Sequence, residues 1–115
     1  MNRYEVRLLD HAVRFLRGLP VKLRAKAFRG IDLLSELGPD LPMPHGKALK
    51  GTEGLRELRI KFASDIVRLF YFHHGGRVYV ITSGFVKKAG KTDPRELRRA
   101  IRLMRDVREI NDEDT

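Results

Sequence analysis

The chain has 115 residues, 34% charged and 42% hydrophobic, with 24 Lys or Arg against 15 Asp or Glu and a formal net charge of +9. That allows one domain with one core, and its basic excess favours a polyanionic or acidic partner. It has no cysteine, which excludes a disulfide framework, a thiol nucleophile and any thiolate metal site.

The charge is unevenly placed. Four of the acidic residues fall in 109–115, so residues 1–108 hold 11 acids against 24 bases, a net of +13. No apolar run approaches the roughly 20 residues that span a bilayer. Charges scattered through MNRYEVRLLDH leave no signal-peptide core. The expectation is a soluble, cytoplasmic protein: a single domain over 1–108, followed by a disordered acidic tail over 109–115.

Arg3–Leu8 sets Tyr4, Val6 and Leu8 against Arg3, Glu5 and Arg7, the alternation of a short strand with one apolar face. Asp10 is a candidate N-cap for a first helix ending at Gly18, with Ala12, Phe15 and Leu16 inward. Pro20 suits the first turn of a second helix. In it Leu23, Ala27, Ile31 and Leu34 recur at helical spacing, and Gly38-Pro39 stops it. Residues 39–54 hold three prolines and three glycines, which predicts a loop without a regular element. It is long for a small domain and carries His45, Lys47 and Lys50.

Three strands follow. In LRELRIKFA, Leu58, Ile60 and Phe62 face one way, and Glu57, Arg59 and Lys61 face the other, open side. DIVRLFYFH is apolar on both faces apart from Arg68, which makes it a central strand. Gly75-Gly76 forms a hairpin turn. In the third strand Val78, Val80 and Thr82 alternate with Tyr79, Ile81 and Phe85, and KKAGKT leads on. Asp93-Pro94-Arg95-Glu96 then carries a cap, a first-turn proline and a capping-box glutamate. The helix it starts runs to about Glu109, with Leu97, Ala100, Ile101 and Met104 inward and five arginines outward.

Arg68 is the most informative residue. An arginine between Val67 and Leu69 in a central strand must pair, with Glu57 or Glu96 as candidates, or face a site that needs a cation. Arg59, Lys61, Lys87 and Lys88 read either as a solvated face or, beside Arg68, as a surface that grips phosphate. The four histidines make no metal pattern, and no metal or other cofactor is expected. Acidic residues on the sheet are too sparse for two-metal nuclease chemistry.

The element order and the stretches LLSELGPDLPMPHGKALKG, GLRELRI, IVRLFYF and GFVKKAGKTDPRELRRA resemble the RelE/ParE toxin superfamily, in particular its HigB-like, phage-derived branch. The resemblance covers about Arg3 to Arg108. It implies an α+β, RelE-like fold: a short N-terminal strand, two helices, a three-stranded antiparallel meander and a C-terminal helix. It also implies a type II toxin that cuts mRNA on the ribosome without a metal, by attack of the ribose 2′-OH on the adjacent phosphate. On that resemblance Arg68 holds the scissile phosphate, Lys87 transfers a proton or stabilises charge, and Arg59 supports the phosphate. Lys50 contacts RNA, with Lys47, Lys61, Lys88 and Tyr71 as further candidates. Some relatives use a tyrosine near the C-terminus; this chain has none there. The implied partners are the ribosome, mRNA and a helix-turn-helix, HigA-like antitoxin. The superfamily also contains non-catalytic DNA gyrase poisons of the ParE type. A degenerate module that only binds nucleic acid or its antitoxin is a third reading.

Overall fold

The structure is a computed structural model that describes residues 3–42, 45–87 and 93–113, with side chains described as far as residue 110. Strand β1 (Glu5–Leu8) leads into helices α1 (Asp10–Arg17) and α2 (Val21–Leu37), then a 3-10 turn (Gly38–Asp40). Strands β2 (Gly46–Ala48), β3 (Arg56–Phe62), β4 (Asp65–His73) and β5 (Val78–Lys87) precede helix α3 (Pro94–Glu113). The five strands form one sheet in the order β1-β5-β4-β3-β2. β1 runs parallel to β5, and every other neighbour is antiparallel. The expected meander is thus the centre of a wider mixed sheet.

The strand periodicity supplies two apolar faces. Leu58, Ile60, Val67, Leu69, Tyr71 and Ile81 pack under Ala12, Leu16, Leu23, Ala27, Ile31 and Leu34 of α1 and α2. On the opposite face Leu55, Phe70, Phe72 and Val80 pack against Ala100 and Met104 of α3. The face expected to be open is therefore covered by α3. Burying one apolar stripe per helix is what makes each of these helices stable in a chain this short.

Four local expectations change. Residue Asp10 does not cap α1; the cap position is Leu9, with no side-chain hydrogen bond, and Asp10 instead supplies a negative charge in the first turn. The Pro- and Gly-rich loop holds β2, because its backbone finds a ladder partner in β3, with Gly46 opposite Leu58 and Ala48 opposite Arg56. Helix α3 continues to Glu113, so the backbone of 109–113 is helical where disorder was expected. No Gly or Pro lies between Pro94 and Thr115 to stop it. The fourth change is in β5. Phe70 pairs with Ser83 but Tyr71 pairs with Ile81, so Thr82 is an extra residue in a β-bulge. Before the bulge Val80 shares the α3 face with Phe72; after it Ser83, Phe85 and Lys87 share that face with Phe70, Arg68 and Ile66. A one-residue insertion exchanges the two faces of everything beyond it.

Candidate active site

The bulge assembles the cations. Arg59, Arg68 and Phe85 lie directly opposite one another across β3, β4 and β5, and Lys61, Ile66 and Lys87 form the next row. Directly opposed residues project from the same face of a sheet. Arg59, Lys61, Arg68 and Lys87 therefore share one face, the face on which α3 packs. Without the bulge, Lys87 would project from the α1/α2 side.

Two arginines facing each other across adjacent strands repel. Glu57 compensates. It is fully buried, and its Oε1 accepts a hydrogen bond from Arg68 Nη1 at 2.6 Å and lies 3.4 Å from Arg59 Nε. Arg68 is 4% exposed, whereas the Arg59 side chain is 27% exposed. Arg59 is thus the open guanidinium of the row, and Arg68 is the member locked to the carboxylate. Glu96, the other partner considered for Arg68, pairs with Arg99 at 3.2 Å. Lys61 is exposed and Lys87 half-buried at the rim.

Lys47 on β2 lies opposite Glu57 and is exposed at the edge of the same face. The other candidates lie elsewhere. Tyr71 is 1% exposed on the α1/α2 side, where its hydroxyl accepts a hydrogen bond from Arg56 Nε at 3.2 Å. It belongs to the core because strand alternation sets it one residue out of phase with Phe70. Lys50 is exposed in the turn before β3. Arg59 lies four residues beyond Leu55, about 13 Å farther along the strand. That turn is held to the far half of α3: Arg105 makes two hydrogen bonds to the Glu53 carboxylate at 2.7 and 3.0 Å, and Arg108 donates to the Glu53 carbonyl at 2.9 Å. Lys88 lies outside the described residues.

Glu57 is the site residue that alternation misplaced, on an open face. The signal available in the sequence was its position, two residues from one strand arginine and in a strand that must neighbour a second.

The surroundings are basic. On α3, Arg95, Arg98, Arg99, Arg102 and Arg105 line an open concavity of about 630 Å³. A second cavity, of about 360 Å³, lies between α2 and β3. Asp93 accepts a hydrogen bond from the Arg95 backbone N–H at 2.9 Å, the expected cap; that bond, first, and then the Arg95 charge hold its carboxyl below the usual range. Among the described residues no group of three or more His, Asp or Glu could hold a metal ion. No described helix is long and apolar enough to cross a membrane.

An α+β sheet flanked by helices on both faces is a fold shared with a known structure. The chain superposes on a chain of the archaeal RelE–RelB complex from Pyrococcus horikoshii OT3 with a TM-score of 0.52 and 23% identity, covering 77% of this chain and 98% of that one. At the level of sequence, residues 14–105 match the model of the family described as phage derived protein Gp49-like (DUF891). The chain belongs to that family. No curated protein matches it.

Proposed function

We propose that this chain is the toxin of a type II toxin–antitoxin pair, acting in the cytoplasm as a metal-independent endoribonuclease on ribosome-bound mRNA. The observation that carries this reading is the row Arg59–Arg68 with Lys61 and Lys87 beside it on one sheet face. The Gp49-like family and the RelE-like fold support it.

In the proposed reaction the 2′-oxygen forms a bond to the adjacent phosphorus and the bond from phosphorus to the 5′-oxygen breaks. The 2′-hydroxyl loses its proton and the departing 5′-oxygen gains one. The products are a 2′,3′-cyclic phosphate and a free 5′-hydroxyl. Negative charge grows on the phosphoryl oxygens, and Arg59 and Lys61 are the exposed cations that meet it. Lys87, at the rim, is the proton donor to the leaving oxygen. Arg68, joined to Glu57, fixes the position of Arg59 across the strand. The arginine stripe of α3 supplies salt-sensitive attraction to ribosomal RNA. A helix-turn-helix antitoxin encoded beside the toxin is the proposed partner.

Primer extension on messages from cells expressing the chain tests this. New 5′ ends within translated messages are expected, and Arg59→Ala should lower their yield roughly 10²- to 10³-fold, the range for losing one charge-stabilising donor. Growth arrest with no new ends would overturn the nuclease. Arrest accompanied by DNA damage and filamentation would point to gyrase poisoning instead.

A further inference from the structure

The cavity between α2 and β3 adjoins the cationic row and has its own construction. Arg59, Ile60 and Lys61 all line it. Consecutive strand residues point to opposite faces, so three in a row line one cavity only where the strand edge itself is open. That is the case here. β2 pairs with β3 only as far as Leu58, and the Arg59 N–H makes the last bond, to the His45 carbonyl at 2.9 Å. Among the described residues no strand lies beside Ile60–Phe62 on that side.

Helix α2 forms the far wall. It comes close because Gly30 has no side chain: a Cβ there would stand 2.8 Å from an Ile60 carbon. Gly30, Leu33 and Ile60 make an apolar floor, with exposed Lys26 and Arg29 on one side and Arg59 and Lys61 on the other. None of the described lining residues is acidic. An apolar slot between two pairs of cations suits a flat base flanked by its two phosphates, the repeat of a single-stranded nucleic acid. Arg59 and Lys61 belong both to this slot and to the row. A strand lying on the row and leaving over the β3 edge enters the slot next.

We propose that this cavity is a nucleotide subsite, holding the base and the outer phosphate of a residue that flanks the one on the row. The assignment rests on the row being a nucleic-acid site. An acidic peptide shares part of this chemistry, but it lacks a charge at every step, and the two cation pairs favour the nucleotide.

The test is fluorescence anisotropy with labelled single-stranded oligoribonucleotides of three and nine nucleotides at several salt concentrations. The wild type should bind the nonamer at least tenfold more tightly than the trimer. Lys26→Ala/Arg29→Ala should lose most of that gain, and its salt slope should fall by about 0.7 for each phosphate contact removed. Leu33→Trp, which fills the slot, should lose the gain with the slope little changed. Arg14→Ala/Arg17→Ala removes the same charge from exposed positions outside the cavity and should stay within twofold of wild type. Equal nonamer affinity in all four proteins overturns the subsite. So does an equal loss in the Arg14/Arg17 control, which would mean diffuse attraction. An acidic, apolar dodecapeptide that binds in a Leu33-dependent way while the nonamer does not would also overturn it. Primer extension separates the two claims. Cavity-dependent binding without cut messages sinks the nuclease and keeps the subsite; cut messages with cavity-independent binding do the reverse.

Discussion

Replacing Glu57 with Gln removes one charge and almost no volume, so it isolates the electrostatics of the row. Glu57 is 0% exposed and Arg68 4% exposed, and their atoms meet at 2.6 Å. In Glu57→Gln the Arg68 guanidinium stays in the interior, facing Arg59 with no carboxylate between them. Arg59, 27% exposed, can turn toward water and relieve part of the repulsion; Arg68 cannot. Removing one partner of a buried pair costs about 3–5 kcal/mol, a large share of the roughly 5–15 kcal/mol that stabilises a domain. For a chain of this length each kcal/mol lowers Tm by about 4 °C, so the drop should be about 12–20 °C. Circular dichroism melts and urea titrations would measure it. A fall of less than about 3 °C would refute the argument, because it would mean that Arg68 does not depend on this carboxylate. A second outcome checks the mechanism. Glu57→Leu/Arg68→Leu, which leaves no unpaired buried charge, should lose less stability than Glu57→Gln alone. The same reasoning makes Arg68→Ala a poor probe of activity, since it removes the nearer of the two arginines that pair with buried Glu57. Arg59→Ala is the cleaner one.

Tyr71→Phe deletes the hydroxyl that accepts from Arg56 and should cost about 1 kcal/mol while leaving message cleavage unchanged; a loss of cleavage in a folded variant would return Tyr71 to the site. Gly84→Ala would set a Cβ 2.6 Å from a Leu69 methyl and 2.7 Å from the Phe15 ring, so about 1–3 kcal/mol should be lost by overpacking; an unchanged urea midpoint would contradict the close approach of α1 to β5. Glu53 should titrate below the usual carboxylate range, chiefly through the hydrogen bond from Arg105. A depressed carboxylate contributes its stability above its unfolded pKa, near 4.3, and loses it as pH falls through the folded value. Following the Glu53 carboxyl by NMR should therefore show an upward move in Arg105→Ala, and an unmoved titration would exclude the pairing.

Much of this fold was legible because its signals are local. Helical spacing of Leu23, Ala27, Ile31 and Leu34 located α2, and Asp93-Pro94 located the start of α3. The doubly apolar β4 marked the centre of the sheet. What escaped depends on partners far away in sequence. β2 is three residues of a Pro- and Gly-rich stretch that become a strand only because β3 offers a ladder. The bulge at Thr82 is set by the register between β4 and β5; simple alternation places Phe85 with Tyr79 and Ile81, the wrong face, and gives no sign that Lys87 joins Arg68. Glu57 is buried between Arg59 and Arg68, a pairing across two strands that the order of residues does not show. Lys50, Lys47 and Tyr71 were grouped as RNA-contact candidates on the family resemblance, and the geometry separates them: Lys47 on the shared face, Lys50 at the far turn, Tyr71 in the core.

Arg68 posed an either-or question, a structural ion pair or a residue of a site; the ion pair with Glu57 is present, and it lies beside the other cations of the face. A row of two opposed arginines is unfavourable by itself. One buried carboxylate makes it tolerable without cancelling it, because Glu57 carries one negative charge against two guanidiniums, with Lys61 and Lys87 in the next row. Arg59 is partly exposed and Lys61 exposed. Arg59 is held beside Glu57 before any anion arrives, and a pre-positioned cation is what electrostatic stabilisation of a developing charge needs. A version with apolar residues at 57 and 68 would satisfy the same strands at less cost than breaking the pair. It would also leave Arg59 without its anchor and the face with less positive charge.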